Sequence, residues 1–238
     1  MIDLHTHILP KIDDGSKDIN TSLSMLNIEY KQGVSTVVLT PHFYRSHEEL
    51  EKFLKRRNNS YEQLNKYISK LSIEEQNKLP NLILGAEVAW VPNMSDWLNI
   101  DKLCIGETKY MLLELPTSPW KSNMFNQLYD LINTTNVTPV IAHLERYLKI
   151  QKSDLINEIL SIGIPIQLSS SAFLSFWSSY KLYKMIKKYD GFIISSDCHN
   201  ITSRPPNLSA AMSKIEKKIG KDIINKLNNN AYNIINNR

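Results

Sequence analysis

Seven short apolar runs punctuate the chain, and the segments between them carry apolar residues at helical spacing. The runs are 1–4 (MIDL), 34–40 (VSTVVLT), 81–87 (NLILGAE), 110–115 (YMLLEL), 138–143 (TPVIAH), 164–169 (IPIQLS) and 191–197 (GFIISSD). They lack the apolar–polar alternation of a strand with one wet face, so the pattern predicts strands covered on both sides. Helices are predicted over 19–33, where Gly33 supplies the terminating residue, over 125–135, and over 153–163 with Ser153 as N-cap. The charged insertion 46–79 reads as two further helices, and Lys/Asn/Ile-rich helices close the chain. No Gly/Pro-rich linker, internal repeat or low-complexity tract divides the sequence. The expectation is one α/β domain spanning 1–238, a parallel barrel or sheet.

The polar residues at the ends of these runs change the picture. His5 and His7 follow the first run, with Asp13 and Asp14 close behind; His42 follows the second and Glu87 ends the third. Glu114 lies at the end of the fourth, His143 at the end of the fifth, and Asp197 and His199 at the end of the seventh. In a β/α barrel all strand ends open onto one face, where active sites are built, so these residues would converge on a single cleft. Histidine and carboxylate are ligands of borderline divalent metals, and a chain that repeats them from end to end can hold more than one ion. In His5-Thr6-His7 the two rings project to one face while Thr6 points away, and Asp197-Cys198-His199 repeats the geometry, which turns Cys198 away from the cleft. The alternative for an isolated pair is a core-edge contact, but ligand-type residues at six strand ends outweigh it.

Within the set, Asp14 is assigned through its proximity to His7, with a turn cap as the alternative, and Asp13 is expected to remain in solvent. Glu114 is a ligand or an arginine partner. Arg146 and Arg204 each follow a ligand on a loop, where a guanidinium fork can clamp phosphate oxygens; the alternative for Arg146 is an ion pair with Glu145. Cys198 and Arg204 also form C-x5-R, the spacing of thiol-dependent phosphatases. The intervening residues contain no glycine for an amide cradle, and Asp197 would raise the thiol pKa, so the spacing reads as coincidence. Phe43, Tyr44, Trp120 and Phe173 are candidates to pack a substrate ring or else core-edge residues, and His47 is a surface residue.

Composition narrows the class further. The 238 residues carry 28 basic and 24 acidic side chains, a net charge of +4 that calls for neither a nucleic-acid partner nor membrane insertion. Two cysteines make no disulfide framework, and no apolar run reaches the roughly 18 residues needed to span a bilayer. With no signal-peptide pattern at MIDLHTHILP, a cytoplasmic protein is expected.

Together, HTH, LTPHF, GAEV, IAHLERY and SSDCHNITSRPP occur in the order of the PHP (polymerase and histidinol phosphatase) superfamily. Within it the chain resembles the metal-dependent protein tyrosine phosphatases of capsular and exopolysaccharide operons. The resemblance covers nearly the whole chain. It implies a distorted (β/α)7 TIM-like barrel with three divalent ions, usually manganese, with iron or zinc as alternatives. The ligands implied are His5, His7, Asp14, His42, Glu87, Glu114, His143, Asp197 and His199, and Arg146 and Arg204 take the phosphate-binding positions. Hydrolysis would proceed by attack of a metal-bridged hydroxide on phosphorus, with Asp197 and His199 among the catalytic residues. The implied partner is the phosphotyrosine-bearing tail of a bacterial tyrosine kinase that controls polysaccharide synthesis. The departures are the Asn/Lys-rich C-terminal helices and the region around Trp90, Trp120 and Trp177. The competing readings are a small-molecule phosphatase of the histidinol-phosphate type, a metal-dependent nuclease, which should have a basic groove and against which the modest, scattered charge argues, and a metal-retaining scaffold.

Overall fold

In a computed structural model of the protein, residues 1–174 and 179–236 are described; Trp177 lies outside them. Among the described residues, nine parallel strands run β1 (Ile2–Thr6), β2 (Thr36–Leu39), β3 (His42–Phe43), β4 (Asn81–Leu84), β5 (Glu87–Ala89), β6 (Tyr110–Glu114), β7 (Thr138–Ile141), β8 (Ile166–Ser169) and β9 (Phe192–Ser195). They pair as β1-β2-β4 and β3-β5-β6-β7-β8-β9. The two sets are halves of one barrel, because the second and third strand positions are each split into two short strands. Pro41 separates β2 from β3 and has no N–H for the ladder. Gly85 separates β4 from β5, and Arg57, reaching in from the helix Leu50–Ile68, caps the released Gly85 carbonyl at 3.0 Å. Bonds from Gly85 N to Leu39 O (2.9 Å) and from Glu87 N to Pro41 O (3.1 Å) carry the pairing across both breaks.

The last seam closes through a bridge between Thr6 and Cys198, with Asp197 N donating to His5 O and His7 N donating to Cys198 O, both at 2.9 Å. The result is a distorted seven-stranded TIM-like barrel. Leu4, Val38, Leu112, Val140 and Ile193 fill its interior, and Ala231 and Ile234 of the C-terminal helix Lys221–Asn236 join them. The outward-facing residues of the strands pack under the surrounding helices in a larger apolar layer. Apart from β4, whose residues are partly exposed, the strands are therefore covered on both faces, which is why their runs read as unbroken apolar stretches.

The predicted helices occur with shifted ends. The first spans Ile19–Lys31, capped by the Asp18 side chain, and Gly33 follows at φ 80°. The insertion forms Leu50–Ile68 and a single turn at Ile73–Gln76. Helices also span Ser122–Thr134 and Ser153–Ser161. In the latter Ser153 is the first helical residue; the N-cap is Lys152, which makes no side-chain cap bond. Among the described residues, no helix is long and apolar enough to cross a membrane.

Candidate metal centre

Three local departures from regular strand geometry aim the histidines into the barrel mouth. In β1 the register slips between Asp3, opposite Val37, and Thr6, opposite Leu39, so one extra residue is accommodated. That bulge lets Leu4 join the interior while His5 and His7 still turn into the mouth above it. At His143 and Asp197 the backbone is left-handed, φ 54° in both, a conformation costing about 1 kcal/mol or more per non-glycine residue. The His143 turn is held by its own N–H, which donates to Gln167 Oε1 at 2.9 Å.

All nine predicted ligands meet at this mouth. Glu87 is the hub: its Oε2 lies 2.8 Å from His42 Nδ1 and 3.3 Å from both His5 Nε2 and His7 Nε2, while Oε1 lies 2.8 Å from His143 Nε2. Asp197 Oδ1 stands 3.6 Å from His5 Nε2 and 3.5 Å from His7 Nε2. Asp14 Oδ1 is 3.3 Å from the Nε2 atoms of both His42 and His199. Among the described residues the donor atoms form four overlapping groups, each drawn within 4.8 Å: His7, Asp14, His42 and His199; His5, His7 and Glu87; His5, His143 and Asp197; and His42, Glu87 and Glu114.

The donor set fits divalent cations. Glu87 Oε2, Asp197 Oδ1, His5 Nδ1 and His199 Nε2 are buried without a well-aligned hydrogen bond, although charged partners crowd them. Such orphaned atoms are costly unless something else satisfies them, and cation coordination would. The far ring atoms are already committed. His7 Nδ1 meets Asp13 Oδ2 at 2.8 Å, His143 Nδ1 meets Ser169 Oγ at 2.9 Å, and His199 Nδ1 donates to the Asp197 carbonyl at 3.0 Å. Holding Nδ1 in this way leaves Nε2 facing the mouth, the arrangement that orients metal-binding histidines.

Asp13 therefore corrects the expectation that it stays in solvent. Its carboxylate is buried; it also accepts His42 N at 3.1 Å and Gly15 N at 3.0 Å, closing an Asx turn. The Asp-Asp-Gly turn signal was in the sequence, but nothing there tells which aspartate turns inward. Gly15 is needed because a Cβ would sit 2.2 Å from the His7 carbonyl oxygen. Ser169 is a second site residue that the sequence reading missed; a serine at a strand end carries no signal until His143 is placed opposite it.

Proton and charge sharing couple the groups at the mouth. Burial opposes protonation of His7, yet hydrogen bonds to Asp13 and Glu87 outweigh it and lift the ring to about 10. Burial likewise opposes ionisation of Asp13 and Asp197, but His7 in the first case, and His5 and His143 in the second, bring each to about 2. Burial and the neighbouring His7 charge press His199 down to about 4. Burial, reinforced by Glu87, raises Glu114. A cation entering at neutral pH must displace the His7 proton, so metal affinity should rise with pH. Asp13→Asn should weaken metal binding by about 10- to 100-fold with the fold intact, as loss of a ligand-orienting carboxylate does. Competition against a chelating dye measures it, and unchanged affinity would contradict the orienting role.

Both predicted arginines stand at the rim. Arg146 Nη2 and Arg204 Nη2 donate to the same Asp197 oxygen, Oδ2, at 2.9 and 2.7 Å, and Arg146 Nη1 reaches Glu114 at 3.2 Å. Glu145 is not the partner of Arg146; it accepts the Ser169 N–H at 3.2 Å. The Arg146 and Arg204 side chains stay 41 % and 40 % exposed, so an incoming anion can reach both guanidinium groups.

Cys198 faces the other way. Its thiol is fully buried 3.8 Å from Glu29 Oε1, and burial, with the nearby Glu29 and Asp3, pushes it well above the ordinary thiol range. Of the four aromatic candidates, Phe43, Trp120 and Phe173 are buried in the apolar layer. Only Tyr44 reaches the rim, its ring 5.4 Å from that of His42 and 5.3 Å from that of the exposed His47. Burial and the Glu114 charge hold its phenol up at about 12, so it stays neutral.

Residues 1–236 match the family described as Capsular polysaccharide synthesis, CpsB/CapC. The chain belongs to the CpsB/CapC family. It is 29 % identical over 248 residues to the tyrosine-protein phosphatase CpsB of Streptococcus agalactiae serotype III, with 100 % of this chain and 99 % of the relative covered. A putative tyrosine-protein phosphatase CapC of Staphylococcus aureus is 33 % identical over 214 residues, covering 86 % of this chain and 79 % of the relative. Among solved structures, one described as YwqE from Bacillus subtilis and CpsB from Streptococcus pneumoniae, metal-dependent tyrosine phosphatases, superposes with a TM-score of 0.85 at 26 % identity, covering 100 % of this chain and 95 % of that one. A phosphotriesterase homology protein from Escherichia coli, at TM-score 0.56 and 11 % identity with 98 % and 97 % covered, shares the barrel alone.

Proposed function

We propose that this CpsB/CapC protein is a metal-dependent phosphotyrosine phosphatase, acting in the cytoplasm on the tyrosine-rich tail of a kinase of capsular polysaccharide synthesis. The observation that carries the reading is the convergence of nine candidate ligand side chains on one mouth, with two arginines anchored on one of them, Asp197. Three divalent ions, manganese in this reading, would be held by His5, His7, Asp14, His42, Glu87, Glu114, His143, Asp197 and His199. When bound, the ions supply Lewis-acid charge that activates water and neutralises the phosphoryl group.

The chain's own residues do the rest. Arg146 and Arg204 bind the phosphate oxygens bidentately and keep the phosphorus over the mouth, where positioning and charge neutralisation are most of what phosphoryl transfer needs. Asp197 fixes both guanidinium groups at once, and His199 anchors the loop that carries Arg204 through its N–H to the Arg204 carbonyl at 2.9 Å. A phenolate leaving group, parent pKa about 10, departs with less proton assistance than an alkoxide, which favours phosphotyrosine over an alkyl phosphate.

Histidinol phosphate is the discriminating comparison, since a small-molecule phosphatase would use the same residues. Metal-loaded protein should hydrolyse a phosphotyrosyl peptide with kcat/KM at least tenfold above that for histidinol phosphate. Equal turnover of the two would move the assignment to a small-molecule phosphatase.

A further inference from the structure

Beside the metal centre, and continuous with it, lies a cavity of about 580 Å³ that the mechanism above does not use. Arg146, Arg204 and Asp197 form its inner wall, Leu148 and Ala172 contribute apolar surface, and Lys149 and Lys181 stand at its outer edge. That volume is in the range of small-molecule sites and exceeds what a phosphate group requires. Lys181 also lines a second cavity, of about 230 Å³, together with Lys184 and Lys188. On the helix Ser179–Lys188, positions 181, 184 and 188 share one face. The two cavities share Lys181, and in succession they define a groove from the arginine pair along this face.

Its charge is one-sided. Lys149, Lys181, Lys184 and Lys188 are exposed, and among the described residues none of them forms an ion pair. The acids in the lining are committed elsewhere: Glu145 to the Ser169 N–H, Asp197 to the two arginines. A net charge of only +4 hides this, because acidic residues balance the lysines elsewhere on the molecule.

We propose that the groove is a track for an acidic polypeptide and that Lys149 and Lys181 determine specificity for an anionic group flanking the phosphotyrosine. This rests on the phosphatase reading and deepens it. With the phosphate held by Arg146 and Arg204, the residues beside it in the substrate lie over the larger cavity, and a carboxylate or second phosphate there meets the two lysines. Electrostatic complementarity of this kind acts on capture and selection rather than on the chemical step.

The test uses the full metal-loaded chain and phosphotyrosyl peptides of one length, flanked by alanine, by aspartate, by a second phosphotyrosine, or by lysine. The readout is the ratio of kcat/KM between peptides within one protein. The unsubstituted protein should favour the aspartate- or phosphotyrosine-flanked peptide over the alanine-flanked one by roughly fivefold or more, as two partly exposed ion pairs supply. The better of the two anionic peptides identifies which anion fits. In K149A/K181A the ratio should fall to about one, and K149E/K181E should favour the lysine-flanked peptide. Equal ratios in the unsubstituted protein, or a preference that survives both double variants, overturn the inference and leave the phosphatase reading standing. Stronger competition by a single-stranded oligonucleotide than by an acidic peptide of equal charge would assign the groove to nucleic acid and overturn it too. No turnover of any peptide would remove the phosphatase reading, and the inference with it.

Discussion

Asp197→Asn should lower phosphotyrosine turnover by about 10³-fold while leaving the fold intact. Asparagine tolerates the left-handed backbone this position requires, so the substitution removes charge without imposing new strain. The loss is large because one carboxylate serves two purposes. Its Oδ1 faces His5 and His7, and its Oδ2 anchors Arg146 and Arg204. A first ligand lost from a Lewis-acid site is worth several kcal/mol, and each 1.36 kcal/mol is tenfold in rate. Metal analysis of the purified variant should show reduced occupancy, and release of the arginine anchor should raise KM in addition. Full occupancy with unchanged KM would mean that Asp197 holds neither ion nor arginine.

The arginines give the complementary result. Arg146→Ala/Arg204→Ala should reduce kcat/KM by about 10³-fold with metal content unaltered, in line with the loss of preorganised donors at a reacting oxyanion. Arg204→Lys should recover only a small part, since an ammonium keeps the charge but cannot present two parallel donors. Both arginine side chains are two-fifths exposed, so their removal opens no cavity and thermal stability should change little. If the double variant lost metal instead, the arginines would be structural braces for Asp197 rather than a phosphate clamp.

The contrast between these variants also marks what the sequence could disclose. Strand ends were legible because a buried parallel strand is a continuous apolar run, and a polar residue closing such a run is conspicuous. His5, His42, Glu87 and His143 are found that way. The two interruptions were not legible: the second run stops before Pro41, so the short strand beyond it was missed, and the third run continues straight through Gly85, where only Arg57 capping the Gly85 carbonyl explains why the break is tolerated. Asp13 and Ser169 escaped for a different reason. Their roles are set by which imidazole nitrogen they face, a three-dimensional relation between residues that are 6 apart in one case and 26 in the other. Phe43, Trp120 and Phe173 were open between a substrate contact and a core-edge place, since sequence position does not fix direction; in all three the ring is buried in the apolar layer. The C-x5-R spacing was resolved by the same geometry, since strand alternation places Cys198 against Glu29, behind the barrel wall.

Cys198 supplies the most direct test. Cys198→Ser, treated with chelator and then reconstituted with Mn²⁺, should be assayed on a phosphotyrosyl peptide at each stage. Metal-dependent hydrolysis predicts that the variant retains most of the activity of the unsubstituted protein, that chelation abolishes it, and that Mn²⁺ restores it. Activity that survives chelation in the unsubstituted protein but disappears in Cys198→Ser would contradict the account.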